Sequence, residues 1–334
     1  MVDMTSSMND PNEQSQYDDA ILDSTSIAPV DEQGNPIPVT IPIAIAPQIS
    51  VVFTTRLGGV SQGDFASLNL GGRGGDDREA VRANRVGLAK SMNASLSLVG
   101  QVHSAEVADI DEIFVQNTAY GFDATGIDGE RVEADAQVTS ASGIALGMFA
   151  ADCLPVLFAD PESGIIGAAH CGRRGLQAGV IESTVAAMAA KGAQRERIIA
   201  TLGPCICGEC YEVGDEVADD FTNRFPLTKT QTRFGGAGID IAEAARIDLA
   251  FAGITRVVDA RPRVNAATQY LAQDEELMQL CRTDGEGPEE LSERLEHINH
   301  SMCTLENPLW YSHRRAALAG KAHEGRMLAL IVRQ

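Results

Sequence analysis

The sequence predicts an α+β or mixed-sheet protein. Three observations carry that expectation. Apolar residues make up 44% of the 334-residue chain, ordinary for a globular protein and too many for a disordered one. Short β-branched or apolar runs are bounded by Gly, Pro, Asn and Asp, and they mix with stretches of helical period. These runs follow one another without the regular strand–helix–strand cadence of a parallel sheet. At roughly 150 residues per domain, the length allows one large domain or two small ones.

The first 48 residues read as a flexible acidic tail. Met1 to Gly34 contains eight carboxylates and no Lys or Arg, and the first basic residue of the chain is Arg56. Such a segment buries too little apolar surface to offset its ordering entropy. Folded sequence is expected from residue 49, where Ile49-Ser-Val-Val-Phe-Thr-Thr55 reads as a strand running into the glycine loop Arg56-Leu-Gly-Gly-Val-Ser61. Residues 76–92 read as a helix capped by Asp77, with Val81, Val86, Leu88 and Ala89 on its apolar face. Strands are expected at 97–103, 135–140, 144–149, 154–159 and 165–170, the last two joined by the turn Asp160-Pro-Glu-Ser-Gly164. An alanine-rich helix at 176–191 ends at Gly192, a short strand follows at 198–202, and helices follow at 213–223 and 239–251. A polar insertion near 261–300, most acidic from 272 onward, reads as an elaboration of the domain, with a short surface helix at 291–298.

Charge narrows the function. Lys and Arg total 26 against 47 Asp and Glu, a net charge of −21. That repels phosphate backbones and anionic lipid, which argues against nucleic-acid and membrane-surface partners. The longest apolar stretch, 143–159, is broken by Asp152 and too short to span a bilayer. No basic segment precedes an apolar core at the N-terminus, so no signal peptide is read there. Seven cysteines without an export signal point to reduced thiols in a cytoplasm rather than a disulfide framework.

Three expected strand ends finish in metal-competent residues: His103, Cys153 and His170. Two imidazoles and a thiolate would leave the fourth position of a zinc ion open to water or substrate. They are separated by 50 and 17 positions, so they form a site only if the fold brings them together. Taken singly, Cys153 also reads as a small buried hydrophobe, and either histidine as a hydrogen-bonded core residue. Arg56, Arg173 and Arg174 lie in or beside glycine loops, where an arginine suits a bidentate oxyanion such as phosphate. Arg173 and Arg174 read equally as partners of surface carboxylates. Cys205-Ile-Cys-Gly-Glu-Cys210 contains a two-residue knuckle spacing. No second pair lies nearby in sequence, so unmetallated thiols in a tight turn are expected. His297 and His300 read as surface residues.

The resemblance becomes specific over a series of ordered motifs. They are Thr54-Thr-Arg-Leu-Gly-Gly-Val-Ser61, Ser67-Leu-Asn-Leu-Gly71, Gln101-Val-His103, Asp135-Ala-Gln-Val-Thr139, Ala151-Asp-Cys-Leu-Pro155 and Ala169-His-Cys-Gly-Arg-Arg-Gly175. Leu202-Gly-Pro-Cys205, Cys210-Tyr-Glu-Val-Gly214, Cys303-Thr304, Tyr311-Ser-His-Arg-Arg315 and Gly325-Arg326 follow. Over residues 49–334 the chain resembles the laccase-domain family, known also as the polyphenol oxidoreductase or peptidoglycan-editing-factor family. The resemblance implies a single domain of packed mixed β-sheets flanked by helices, of a cysteine-hydrolase-type fold. It implies zinc ligands at His103, Cys153 and His170. Arg173 stands where the family usually has an aromatic residue, and Cys171 places a second thiol beside a ligand. The segment between Ile254 and Cys303 is longer than the family leads one to expect and could extend a wall of the active-site mouth.

The implied activity is phosphorolysis of adenosine, inosine or methylthioadenosine to base and sugar 1-phosphate, with adenosine deamination as a second activity. Arg56 is the first candidate for phosphate, supported by Ser61 and Asn69, with Arg173 and Arg174 as further anion-binding candidates. Asp152 reads either as a group that orients a histidine or moves a proton, or as a turn residue. Multicopper oxidase chemistry is disfavoured, because the chain has six histidines and no His-x-His pair, although histidine and thiolate also accept copper. A cysteine hydrolase acting on a cell-wall precursor, with Cys153 as nucleophile and His170 or His103 as base, remains an alternative. So does a non-catalytic nucleoside-binding protein.

Overall fold

The computed structural model describes residues 30–115, 122–126 and 129–334; most of the expected acidic tail lies outside them. The strands run β1 (Thr40–Ala46), β2 (Ile49–Thr54), β3 (Ser95–Leu98), β4 (Val107–Asp109), β5 (Phe114–Val115), β6 (Ala124–Thr125), β7 (Ala136–Thr139) and β8 (Ile144–Ala150). They continue as β9 (Leu154–Asp160), β10 (Ile165–Cys171), β11 (Ile199–Leu202), β12 (Lys229–Gln231), β13 (Ala237–Ile239), β14 (Arg256–Val258) and β15 (Met327–Arg333). The helices are α1 (Arg78–Met92), α2 (Arg173–Ala178), α3 (Val180–Ala190), α4 (Asp215–Arg224) and α5 (Ile241–Phe251). α6 (Arg261–Tyr270), α7 (Glu275–Thr283), α8 (Leu291–Glu296) and α9 (His313–Leu318) complete the set.

Two mixed sheets form the centre of an α+β domain. One has the order β1-β2-β15-β8-β3, the other β14-β11-β9-β10-β7-β4. Each is antiparallel through its middle, with parallel pairs at β3–β8, β4–β7 and β11–β14. The period of two along a strand explains the layering. Val51, Phe53, Leu146, Met148 and Ile331 of the first sheet share a core with Leu157, Ala159, Ile166 and Ala168 of the second. The intervening positions face outward. Leu328 and Leu330 meet Leu88 of α1, while Val156, Phe158, Ile165 and Cys171 meet Ile181, Val185 and Met188 of α3. Because both faces of both sheets are covered, the strands read as nearly continuous apolar runs. Gln137 ties the sheets across the core, donating to the carbonyls of Ser97 (3.2 Å) and Gly147 (3.1 Å).

The sheet begins earlier than residue 49. β1 pairs antiparallel with β2, and Ile41 is buried beneath it. The prolines around this segment argue against a strand, but β1 lies at the sheet edge, where Pro42 costs no ladder hydrogen bond needed on the open side. The alanine-rich helix is also two helices, because Gly179 adopts φ 86° and ends α2 before α3 starts.

The polar segment 261–300 forms three packed helices rather than an extension of the cavity mouth. Val264, Leu271, Leu277, Leu280 and Leu291 join the core that holds Phe53 and Trp310. Asp284, at the end of α7, receives Arg56 through two bonds of 2.7 and 3.0 Å and Arg294 through one of 2.6 Å. Arg315 Nε lies 3.4 Å from the same carboxylate. This corrects the phosphate role expected for Arg56: its guanidinium is buried and its fork is already matched to a carboxylate. Burial opposes ionisation of Asp284, but Arg56, Arg315 and Arg294 outweigh it and hold the carboxyl well below its ordinary 3.8.

Asp284→Asn is therefore expected to cost about 3–5 kcal/mol by stranding three buried guanidinium groups, measured by urea unfolding. Since the folded-state value is depressed, the pair's contribution is complete above the unfolded value of 3.8 and declines as pH falls toward the folded one. An acid-unfolding midpoint unchanged in Asp284→Asn would contradict this account. Arg56→Ala should likewise lose stability rather than phosphate affinity.

Candidate active site

His103, Cys153 and His170 converge at one end of the two-sheet core. One ligand atom from each lies within 4.8 Å of the others. Cys153 Sγ is 3.8 Å from His103 Nε2, and the two imidazole rings meet edge to face with centroids 4.8 Å apart. Each arrives differently. His170 lies in β10, where the period of two turns it toward the space between the sheets and Cys171 toward the helices. Cys171 therefore stays outside the group, with its thiol pushed up by burial. Cys153 sits in the short link from β8 to β9. His103 is not on a strand: β3 ends at Leu98, and His103 occupies a loop with φ 64°. Gly172 completes the enclosure, since a Cβ there would stand 3.0 Å from Cys153 Sγ and 3.1 Å from His103 Cδ2.

Asp135 holds both histidines, a role the sequence did not assign. Its Oδ1 lies 2.8 Å from His170 Nδ1. Its Oδ2 accepts the backbone N–H of Val102 (3.1 Å) and Ser104 (2.6 Å) and the Ser104 hydroxyl (2.8 Å), bracketing His103. With Nδ1 so engaged, His170 presents Nε2 to Cys153 and His103. Burial works against the Asp135 charge, but the His170 and Ser104 bonds outweigh it and keep the carboxyl well below its ordinary range. Burial also disfavours the Cys153 thiolate, yet the adjacent His170 and His103 lower that thiol to about 6. His170 is raised to about 9: desolvation opposes its charge, and Cys153 and then Asp135 overcome it. The donors, their mutual spacing and the engaged Nδ1 fit a divalent metal such as zinc, whose N/S ligands subtend edges of about 3.6 Å.

The group forms one wall of a cavity of 570 Å³, within the range of small-molecule sites. Phe149, Tyr211, Asn69, Arg73, Arg314 and Arg326 also line it. Among the expected residues, Asn69 reaches the cavity, but its Nδ2 binds Asp76 (2.9 Å) and its Oδ1 accepts Gly71 and Arg326 N–H. It shapes the loop rather than offering a free group. Ser61 lies elsewhere and donates to Asp76 at 2.7 Å. Arg173 bonds Gln177 at the start of α2, and Arg174 is exposed on the same helix. Neither lines the cavity, and neither forms an ion pair among the described residues. Asp152 borders the cavity with φ 102° but does not orient a histidine. It accepts from the Thr304 hydroxyl (2.6 Å) and the Arg314 backbone N–H (2.7 Å), and burial pushes its carboxyl up. Asp152 thus fastens the C-terminal return of the chain to the cavity.

Arg314 is a cavity cation that sequence reasoning missed. Its Nη2 donates to the Glu212 carbonyl at 2.8 Å and its guanidinium lies over Tyr211, 5.9 Å from the ring centroid. No carboxylate ion-pairs with it among the described residues. Its only sequence signal was the Tyr311-Ser-His-Arg-Arg315 motif, which does not say which arginine faces inward; Arg315 is buried among carbonyls.

The fold and cavity define a two-sheet α+β protein with an enclosed group of metal-competent side chains. A family model described as multi-copper polyphenol oxidoreductase laccase matches residues 50–271, and the chain belongs to that family. The purine nucleoside phosphorylase ORF3 of Streptomyces griseus is 42% identical over 206 residues, which are 61% of this chain and 79% of that protein. Among solved structures, Neisseria meningitidis protein NMB0706 matches with a TM-score of 0.65 and 30% identity, over 89% of this chain and 99% of that one. Bacillus licheniformis YfiH matches with a TM-score of 0.66 and 25% identity, over 89% and 97%. No helix of the described residues is long and apolar enough to cross a membrane.

Asp135→Asn is expected to weaken divalent-metal binding by the His103–Cys153–His170 group about 10–100-fold, measured by competition with a chromophoric chelator. Unchanged affinity would remove Asp135 from its positioning role.

Proposed function

We propose that the chain is a zinc-dependent purine nucleoside phosphorylase. The observation that carries the reading is the convergence of two imidazoles and a thiol in a cavity shared with Arg314, which has no carboxylate partner among the described residues. Its 42% identity to a protein named as a purine nucleoside phosphorylase supports it. His103, Cys153 and His170 would hold the metal, which when bound supplies Lewis-acid polarisation of a substrate oxygen or nitrogen and lowers the pKa of water. The chain's own residues do the rest. Phe149 and Tyr211 offer ring faces to a purine. Arg314, its backbone anchored on Asp152, offers a guanidinium to phosphate. In the reaction a phosphate oxygen bonds C1′ as the C1′–N9 bond breaks. The electron pair leaves with the base, which takes up a proton, and holding phosphate against C1′ supplies rate by proximity. Adenosine deamination at the same cavity is a secondary activity of this reading.

A second reading has its own observation. Without metal, Cys153, His170 and Asp135 form a nucleophile–base–carboxylate series with the thiol already lowered to about 6. That is the arrangement of a cysteine hydrolase. Multicopper oxidation is not proposed: of the three histidines that line the cavity among the described residues, His103 and His170 group with Cys153, while His313 is exposed and bonds Glu324.

Chromatography of adenosine incubated with the protein separates these readings. Adenine formed only with phosphate, and lost on chelation, is the expected result. Adenosine turnover that survives metal removal favours metal-independent chemistry at Cys153, and no product under any condition favours a hydrolase of another substrate or a binding protein. Cys153→Ala and His170→Ala should each abolish activity. Arg314→Ala should raise the KM for phosphate about tenfold or more, the cost of a charge-assisted hydrogen bond, while changing deamination less. Equal losses in both reactions would count against its phosphate role.

A further inference from the structure

The loop after β11 and the segment before α9 bring four further donors together. Cys207, Cys210, Cys303 and Glu306 each offer an atom within 4.8 Å of the rest. We infer that they form a second, closed metal site that takes a four-coordinate thiophilic divalent ion, zinc foremost, in a structural role. This goes beyond the proposed activity and does not depend on it.

The second pair that the sequence lacked nearby is supplied from 96 residues away. Cys207-x-x-Cys210 and Cys303-x-x-Glu306 are both two-residue-gap turns. In the first, Cys210 and Tyr211 N–H both bond the Cys207 carbonyl, at 3.0 and 2.9 Å. The turns are held face to face by a bridge between Cys205 and Cys303, with Cys205 N–H on Met302 O (3.0 Å) and Thr304 N–H on Cys205 O (3.1 Å). Cys207 N–H also points at Cys303 Sγ (3.4 Å).

Glu306 shows what the thiols are arranged for. It is buried, and its Oε2 accepts the N–H groups of Asn299 (3.0 Å) and His300 (2.7 Å). That fixes Oε1 toward the sulfurs, 3.7 Å from Cys207 and 3.4 Å from Cys210. Around tetrahedral zinc an S···O edge is about 3.6 Å, from bonds of about 2.3 and 2.1 Å. Among the described residues no Lys or Arg ion-pairs with Glu306, so the buried carboxylate meets three thiols without a paired cation. Binding releases to solvent the protons that the thiols still hold, and the three thiolates and one carboxylate leave no open position on a four-coordinate ion. Cys207 and Cys303 border a cleft of 780 Å³, which provides a route for the ion.

The location explains the role. The loop passes Ile206 N–H to the Asp152 carbonyl (2.9 Å) and carries Tyr211 into the cavity. The partner segment carries Thr304, which bonds Asp152. An ion here would staple two distant stretches directly behind the cavity wall.

Metal analysis of protein purified anaerobically tests this. The native chain is expected to hold about two ions, with His170→Ala and Cys303→Ser each losing one. Cobalt-loaded His170→Ala should show thiolate charge-transfer bands that Cys303→Ser removes. Cys303→Ser should also lower the melting temperature. If that variant fails to fold, Glu306→Gln and X-ray absorption of zinc-loaded His170→Ala give the same readout: a sulfur-rich first shell, weakened by the Gln change. Failure of the catalytic centre alone would leave an ion that depends on Cys303 and not on His170. A metal content abolished by His170→Ala, a Cys207–Cys210 disulfide in that preparation, or a sulfur-poor shell in His170→Ala would each overturn the inference.

Discussion

The carboxylate of Asp135 is the interaction on which the cavity depends. A single buried group anchors a strand residue, His170, and the loop that delivers His103, two positions 67 residues apart in the chain. His103 adopts a left-handed conformation that a non-glycine residue adopts at a cost, and the bonds to Val102 and Ser104 on either side hold it there. The two-sheet core makes this possible. Asp135 immediately precedes β7, which pairs with β10, so the carboxylate and His170 are neighbours in one sheet.

Asp152, the residue before Cys153, plays the complementary part. It takes the backbone conformation of a tight turn and accepts bonds from Thr304 and Arg314, which lie beyond α8 in the chain. The C-terminal third of the chain is thereby fastened to the cavity at a point adjacent to the thiol. The same third is tied to the N-terminal glycine loop through Asp284, which pairs with Arg56 as well as with Arg294 and Arg315. The segment 261–300 is thus a packing element whose polar residues are partly internal, which is why its acidic composition misrepresents its burial.

A fold carries many activities, and which chemistry a member performs is decided by the side chains of its cavity. The family description names copper oxidation, whereas the cavity brings together one thiol and two imidazoles with arginines at hand. That donor set suits a single ion with an open position.

The sequence by itself determined the fold class, seven of the fifteen strands of the described residues and the Asp77-capped helix, because apolar periodicity and local turn chemistry are properties of contiguous residues, while family motifs pointed to His103, Cys153 and His170. Only the tertiary structure decided which polar residues act together. Arg56 has the look of an anion binder until Asp284, 228 positions away, is seen to occupy it. Asp135 and Arg314 have no local signature that separates them from their neighbours. Cys207 and Cys210 lacked a second pair until a bridge brought Cys303 and Glu306 beside them. Hydrogen bonds and ion pairs between distant segments are set by strand register and by which face a residue takes, and neither is written in the spacing along the chain.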